Sequence, residues 1–417
     1  MFTQIFTCPR AIARHCAAPF AESRLRYLQY WAARGASRAT LRLIAANLLA
    51  INTSLNLGAE GDISLAQIET AAERWIQRPH QHHRRKDSAA TRVKFIATAQ
   101  HWLRFLYRLH QEPVPPCPEA PLLAEFADYM AHERGWSPQT IRTRCLGITA
   151  FLRRVCGPHR PLRTVTIADI DHALGMKHRA DGCARVTVQA YASVLRAFFR
   201  YGETRGWCTP GLAAAITAPR VFHGETLPAG PSWDDVRRLL AGTEGVNRTA
   251  IRDRAILLLL AVYGLRSSEV RRLRLDDLDW VNERITITRS KQYARTQVYP
   301  LTQPVGDAIL RYVQEARPPC QVREIFVATR APIQPLSNSA IWRLVSQRVR
   351  ALNLPLRHCG PHALRHACAS HLLSQGLSMK EIGDHLGHRS PAATAHYAKV
   401  DLVGLRQVAD FSLGGLR

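Results

Sequence analysis

The segment Arg34-Gly35-Ala36-Ser37-Arg38-Ala39-Thr40-Leu41-Arg42 returns one hundred residues later as Arg134-Gly135-Trp136-Ser137-Pro138-Gln139-Thr140-Ile141-Arg142. A second echo follows, Ile63-Ser64-Leu65-Ala66-Gln67-Ile68 against Val165-Thr166-Ile167-Ala168-Asp169-Ile170. The aromatic stretch around Trp102, Phe105 and Tyr107 then has a counterpart around Phe198, Phe199 and Tyr201. Similarity at a nearly fixed offset marks a duplicated unit. In each copy Ser37 or Ser137 is placed as a helix cap, its hydroxyl free to accept from a backbone N–H in the first turn. Apolar residues then recur at helical spacing: Leu41, Ile44, Leu48 and Ile51 in the first copy, Ile141, Ile148 and Phe151 in the second. Both copies are predicted to be small all-α bundles.

Two proline-containing stretches divide the chain. Pro113, Pro115, Pro116, Pro118 and Pro121 form one cluster, and Pro210, Pro219, Pro228 and Pro231 a looser one. Such stretches read as linkers, giving pieces 1–116, 117–227 and 228–417. The third piece changes character. Trp233 to Leu240 and Arg252 to Tyr263 read as helices, while Ile285-Thr286-Ile287-Thr288 and Gln297-Val298-Tyr299 alternate as two short strands across a polar turn. The expected fold class is mainly α and multidomain: duplicated helical modules followed by a mixed α+β domain with a small antiparallel sheet.

The 417 residues carry 57 Lys plus Arg against 32 Asp plus Glu, a formal charge of +25, in a chain that is 46% hydrophobic. That much apolar content builds real cores, so the charge belongs to a folded protein with a polyanionic partner rather than to a disordered tail. All three pieces are net basic, so a polyanionic partner, most often nucleic acid, would touch each of them, and an Arg-rich proteome bias is the competing explanation. Arg38, Arg42, Arg142, Arg144, Arg153 and Arg154 are candidates for phosphate contacts on the paired bundles, although a solvated helix face explains any one of them equally well. No membrane partner is expected. Arg10, Arg14 and His15 interrupt the apolar runs of the first twenty residues, and Ala255 to Tyr263 is far shorter than the roughly eighteen residues a span requires. Ten cysteines without C-x-x-C pairs or regular spacing read as reduced intracellular thiols. The group His80, His82 and His83 beside Arg84, Arg85 and Lys86 reads as a solvated loop, because no further ligands accompany it.

Five segments of the third piece carry chemistry: Gly264-Leu265-Arg266-Ser267-Ser268-Glu269, Ser290-Lys291-Gln292, Pro361-His362-Ala363-Leu364-Arg365-His366, Leu386-Gly387-His388-Arg389-Ser390 and His396-Tyr397-Ala398. In order and spacing they resemble the catalytic motifs of the tyrosine recombinase, or phage integrase, family, over roughly residues 117–410. The resemblance implies SAM-like DNA-binding helical modules ahead of a catalytic domain, Tyr397 as nucleophile, and Arg266, Lys291, His362, Arg365 and His388 around the scissile phosphate. It also implies a homo-tetramer on two DNA sites, or cooperation with other recombinases of one mobile element, in a bacterial cytoplasm at the nucleoid.

The residue types suit that chemistry. Cleaving a phosphodiester by covalent catalysis needs a nucleophile, an acid for the leaving 5′ oxygen and fixed positive charge where charge develops. Arg266 and Arg365 each offer a planar fork for two phosphate oxygens. Only six lysines occur in the chain, and Lys291 stands in the strand turn where the family keeps its general acid; an ammonium gives up a proton and a guanidinium does not. His362 and His388 have the near-neutral titration suited to taking the tyrosine proton or bonding a phosphate oxygen. Glu269, one turn after Arg266, could orient it, and His366, next to Arg365, could support it; Arg289 and Arg295 read as DNA-backbone contacts, while His358, His371, His385 and His396 read as structural. No cofactor and no metal is expected, since Arg, Lys and His already supply the charge Mg²⁺ would provide.

Two departures bear on role. Ala398 stands where members of the family commonly carry a hydroxyl residue. About 116 residues precede the unit that a minimal Xer-type member would need, and their repeat character suggests a second clamp-like DNA contact or a protomer contact. Leu402, Leu405, Val408 and Phe411 suit a tail that docks on a neighbour. A type IB topoisomerase, or a mainly architectural DNA-binding partner of other recombinases, is the competing reading.

Overall fold

The computed structural model describes residues 1–55, 57, 61–77, 88–110, 117, 119–157, 160–221, 230–289, 296–354, 356, 358–388, 390–395 and 397. The group at 80–86, Lys291, Arg295, His396 and the residues after Tyr397, including the expected tail, lie outside them. The chain divides into two compact units, one of Met1–Gln111 with Thr226–Arg417 and one of Glu112–Glu225.

The second unit is a helical bundle: Ala120–His132, Pro138–Val155, Ile167–Arg179 and Arg185–Thr204, closed by Leu212–Ala215. Its core joins Phe126, Met130, Ile148, Phe151, Leu195, Phe198 and Phe199. Within the first unit, Ala21–Ala32, Arg38–Leu55, Leu65–Gln77 and Ser88–Phe105 repeat that helix order, with 18 residues in both long helices that follow the capping serines. The caps form as expected. Ser37 Oγ accepts from Thr40 N at 3.2 Å and Ser137 Oγ from Thr140 N at 3.3 Å.

The first copy has an addition that periodicity did not reveal. Phe2–Ile5 and Pro9–Ala17 fold back so that Phe2 and Ile5 bury against Leu28, Leu41 and Ala45. Arg24 ties this segment down, donating to the carbonyls of His15 at 2.7 Å and Ala18 at 2.8 Å. The His15 ring is fully buried and stacks on Phe2 and Phe6, with centroids 5.4 and 4.5 Å away. Burial, then the charges of Arg24 and Arg14, push its pKa down to about 4. An unfolded chain protonates such a ring near 6.5 while the folded one refuses, so this stabilisation is complete above about pH 6.5 and is lost as pH falls toward 4. The thermal midpoint should therefore decline between pH 7 and 4.5, and His15→Leu should flatten part of that decline. Identical pH profiles for the two proteins would refute this origin.

The remainder of the first unit builds its own core on the Arg248–Val262 helix, whose Ile256, Leu257, Leu259 and Leu260 are fully buried among Ile285, Val305, Ile309, Phe326 and Val345. The two expected strands are present as Arg284–Thr288 and Thr296–Pro300, antiparallel with Ile285 opposite Tyr299; a third, Leu278–Asp279, pairs with the first of them. The first and last segments of the chain meet where Ile333 N donates to the Arg34 carbonyl at 3.2 Å. Gly35, at φ +82°, makes room there: a Cβ on it would lie 2.9 Å from Ile333 Cγ1. Their hydrophobic cores stay separate.

Candidate active site

Four helices and the glycine turns that end two of them assemble the site. The Arg248–Val262 helix ends in a turn at Gly264, whose φ of +57° and contact with Leu386 leave no room for a side chain. The next helix, Ser267–Arg272, opens with Arg266 at its cap: Glu269 accepts from Arg266 N at 2.8 Å and from Arg266 Nη1 at 2.9 Å. The Glu269 side chain is fully buried and also receives Arg289 Nη1 at 2.7 Å. One buried carboxylate thus holds two guanidiniums, a triad that keeps one net positive charge at the site.

Arg365 projects from the Pro361–Ser374 helix and is 4% exposed. Its two η nitrogens donate to the carbonyls of Gly264 at 2.5 Å and Leu386 at 2.7 Å, which fixes the plane of the fork. Burial, and then the nearby positive charge of Arg266, lower its pKa to about 10, so it remains a cation at neutral pH. The Met379–Leu386 helix ends at Gly387 in the left-handed conformation, with His388 N donating to the Gly383 carbonyl at 2.8 Å. A side chain at Gly387 would run into the Arg289 guanidinium, 2.6 Å from Nε. His388 is thereby directed inward, its Nδ1 2.7 Å from Thr394 Oγ1. Burial together with the charges of Arg365, Arg266 and Arg289 pushes its pKa down to about 4, leaving a neutral imidazole.

Tyr397 is 3% exposed and packs with Cys368, Ala369, Ile382 and Leu386. Its ring lies parallel to His388, with centroids 6.4 Å apart. Burial pushes the phenol up to about 12 while Arg365 pulls it down, so the hydroxyl is protonated at neutral pH and needs a base. A group within reach is His366, whose Nδ1 lies 2.9 Å from Tyr397 Oη. Sequence reasoning gave His366 only a supporting place; the helix brings it directly to the tyrosine. His362, one turn before Arg365, is exposed at the start of that helix. Arg266, Glu269, Arg365, His366, His388 and Tyr397 therefore converge, and Lys291 lies outside the described residues.

Arg289 is corrected. It was expected on the DNA backbone, yet it is 8% exposed and spends its guanidinium on Glu269, Gln297 at 3.0 Å, the Tyr299 hydroxyl and the His385 carbonyl at 3.1 Å. Arg38 and Arg42 are partly corrected, since both donate Nε to the Ile5 carbonyl, at 3.0 and 2.7 Å. In the second unit Arg142, Arg153 and Arg154 are exposed on the Pro138–Val155 helix, and the Arg144 guanidinium lies 3.7 Å from the centroid of the Trp136 ring. His371 stacks on Trp233 at 3.8 Å and His385 donates Nε2 to the Val262 carbonyl at 3.2 Å, both packing roles. Among the described residues no group of His, Cys, Asp and Glu could hold a metal ion, and no helix is long and apolar enough to cross a membrane.

Residues 232–402 match the phage integrase family, and residues 123–206 match the phage integrase N-terminal SAM-like domain. The protein y4rF of Sinorhizobium fredii, named as an integrase/recombinase, is 35% identical over 73% of this chain and 72% of its own length. The tyrosine recombinase XerC of Alcanivorax borkumensis is 31% identical over 68% of this chain and 91% of its own. Among solved structures, the XerH site-specific recombinase bound to a palindromic difH substrate shares the fold with a TM-score of 0.55 at 15% identity, covering 85% of this chain and 98% of that one.

Proposed function

The chain belongs to the phage integrase family of tyrosine recombinases, enzymes that cleave and rejoin DNA at specific sites, and from that premise we propose that Tyr397 is the nucleophile and forms a 3′-phosphotyrosine. The observation that carries this reading is the Tyr397 hydroxyl, 2.9 Å from His366 Nδ1 and beside the fixed Arg365 fork. His366 takes the phenolic proton as the tyrosine oxygen attacks phosphorus; the bond to the 5′ oxygen breaks, and that oxygen leaves with a proton from Lys291. Arg266 and Arg365 compensate the charge that builds on the phosphate oxygens, and His388, neutral with Nδ1 held by Thr394, offers one N–H to the same group. His362, exposed on the same helix as Arg365, is a further phosphate contact. The phosphotyrosine keeps the bond energy, so attack by a 5′ hydroxyl reverses the step without ATP.

The partner is double-stranded DNA, engaged by the basic helical bundles, with Arg142, Arg153 and Arg154 as backbone contacts. The recombinase names of the relatives support DNA recombination as the process; the reaction is assigned to a bacterial cytoplasm, and the exchange of two strands to an assembly of protomers, four in the complete synapse. The long N-terminal module favours a mobile-element integrase or transposase over a housekeeping resolvase. The test is to incubate the protein, in EDTA, with labelled duplexes from the flanks of its own gene and run a denaturing gel. The expected product is a protease-sensitive adduct on the 3′ side of a nick with a free 5′ hydroxyl. Salt-sensitive binding without any adduct would favour the architectural reading, and relaxation of supercoils without two-site exchange would favour a topoisomerase.

A further inference from the structure

The second unit contains a cleft of about 670 Å³ whose walls include Tyr129, Arg134, Trp136, Arg144, Arg200 and Tyr201. Its size lies within the range of small-ligand sites. Two features distinguish it from an ordinary gap between helices. The Arg144 guanidinium is laid on the Trp136 ring, 3.7 Å from the centroid, and Tyr129 and Tyr201 stack at 4.4 Å and 26° beside it. Planar cation and aromatic surfaces side by side are what unpaired bases stack on. The charge is also one-sided. Among the described residues that line the cleft, Arg134, Arg144, Arg200 and Arg205 stand with one carboxylate, Glu133, and Arg205 is paired with Glu125 at 2.6 Å.

The duplicated module supplies an internal comparison. At the offset of one hundred, Trp136 and Arg144 correspond to Ala36 and Ile44, which pack on the hydrophobic core of the first copy. The aromatic floor is common to both copies, with Tyr30 5.2 Å from Phe105 in the first. What differs is where the cation sits: in the first copy the Arg34 guanidinium lies 3.6 Å from the centroid of Tyr30, and in the second Arg144 lies on Trp136 in the wall of the cleft.

We propose that this cleft holds one unpaired nucleotide of a DNA strand, its base stacked on the Arg144 guanidinium and its phosphate met by Arg134 and Arg200. The inference rests on the DNA strand-exchange reading above, because a strand that is cut and handed to a new partner passes through an unpaired state. Trp136 is a positioning residue that holds the Arg144 plane flat.

The test uses the full chain and two duplexes of its cleavage site, one fully paired and one with a single bulged 2-aminopurine. The bulged duplex should bind more tightly than the paired one, with quenching of 2-aminopurine as it stacks. Trp136→Ala should remove about tenfold of that preference and most of the quench, whereas Trp136→Phe, which keeps a ring under Arg144, should retain both. Equal binding of the two duplexes by the native chain, without quenching, overturns the proposal while paired-duplex binding leaves the recombinase reading intact. If paired-duplex binding itself is absent, it is the DNA reading that fails. Saturable binding of free deoxyadenosine monophosphate in place of the bulge would overturn the strand assignment in favour of a small-molecule nucleotide. Displacement by an acidic peptide with no preference for the bulge would overturn it in favour of a protein ligand.

Discussion

Tyr397→Phe is expected to abolish the covalent protein–DNA adduct while leaving DNA binding and the fold in place. The variant removes one oxygen. The ring stays in its apolar pocket between Cys368, Ala369, Ile382 and Leu386, and losing the hydrogen bond to His366 costs about 1 kcal/mol. The loss to chemistry is of another order. Without the phenolic oxygen no bond to phosphorus can form, and covalent catalysts that lose their nucleophile fall by on the order of 10⁶ in rate. The separation between an unchanged thermal midpoint and an absent adduct is what identifies Tyr397 as the nucleophile rather than a packing residue. The measurement is the denaturing-gel assay with native and variant proteins side by side, at matched occupancy of a labelled site. An adduct of native abundance from the Phe variant would move the chemistry to another residue. His366→Gln makes the companion variant: it should slow cleavage most around neutral pH, where an unprotonated imidazole can take the phenolic proton, and less both in acid, where a protonated imidazole is no base, and as pH rises toward the elevated titration of Tyr397, near 12.

What the chain discloses of its fold is what is local. Ser37 and Ser137 mark helix starts because the hydroxyl and the N–H it accepts are three residues apart. The strand pair shows because Ile285 and Ile287 alternate with threonines whose side chains face the other way. Glu269 could be linked to Arg266 for the same reason, since one helical turn separates them. The rest of the site depends on contacts with no sequence signature. Arg289 looks like any other arginine at a strand end, and its burial is decided by Tyr299 across the sheet and by the His385 carbonyl 96 residues on. His366 is adjacent to Arg365 in sequence, yet it turns to a different neighbour, and only the packing of Met379–Leu386 against Pro361–Ser374 puts Tyr397 there. The N-terminal segment is a further case. Basic residues and short apolar runs argued against an export signal, but nothing in them announced that the Ile5 carbonyl would take up Arg38 and Arg42.

Glu269→Gln is expected to cost both stability and cleavage, by separable routes. The carboxylate is the one negative charge described between Arg266 and Arg289, and its side chain is fully buried. Glutamine keeps the shape but leaves two guanidiniums facing each other without compensation, and removing one member of a buried ionic group typically costs about 3–5 kcal/mol. The thermal midpoint should fall accordingly. Cleavage should fall as well, because Glu269 fixes Arg266 through two bonds, to its backbone N and to Nη1, and a misplacement of about 1 Å in a charge-compensating group costs roughly 10²-fold. Pairing the substitution with Arg289→Met separates the two effects. Deleting the second cation relieves the repulsion and should return part of the lost stability, less what its bonds to Gln297, Tyr299 and the His385 carbonyl contributed, since neither charge of the Glu269–Arg289 pair is then left buried without its partner. It does nothing for Arg266, which still lacks the carboxylate that orients it, so the cleavage defect should persist in the double variant. Recovery of both together would mean that Glu269 acts on the reaction only by holding the fold, and persistence of the cleavage loss in a restabilised protein would show that it positions Arg266 for the phosphate.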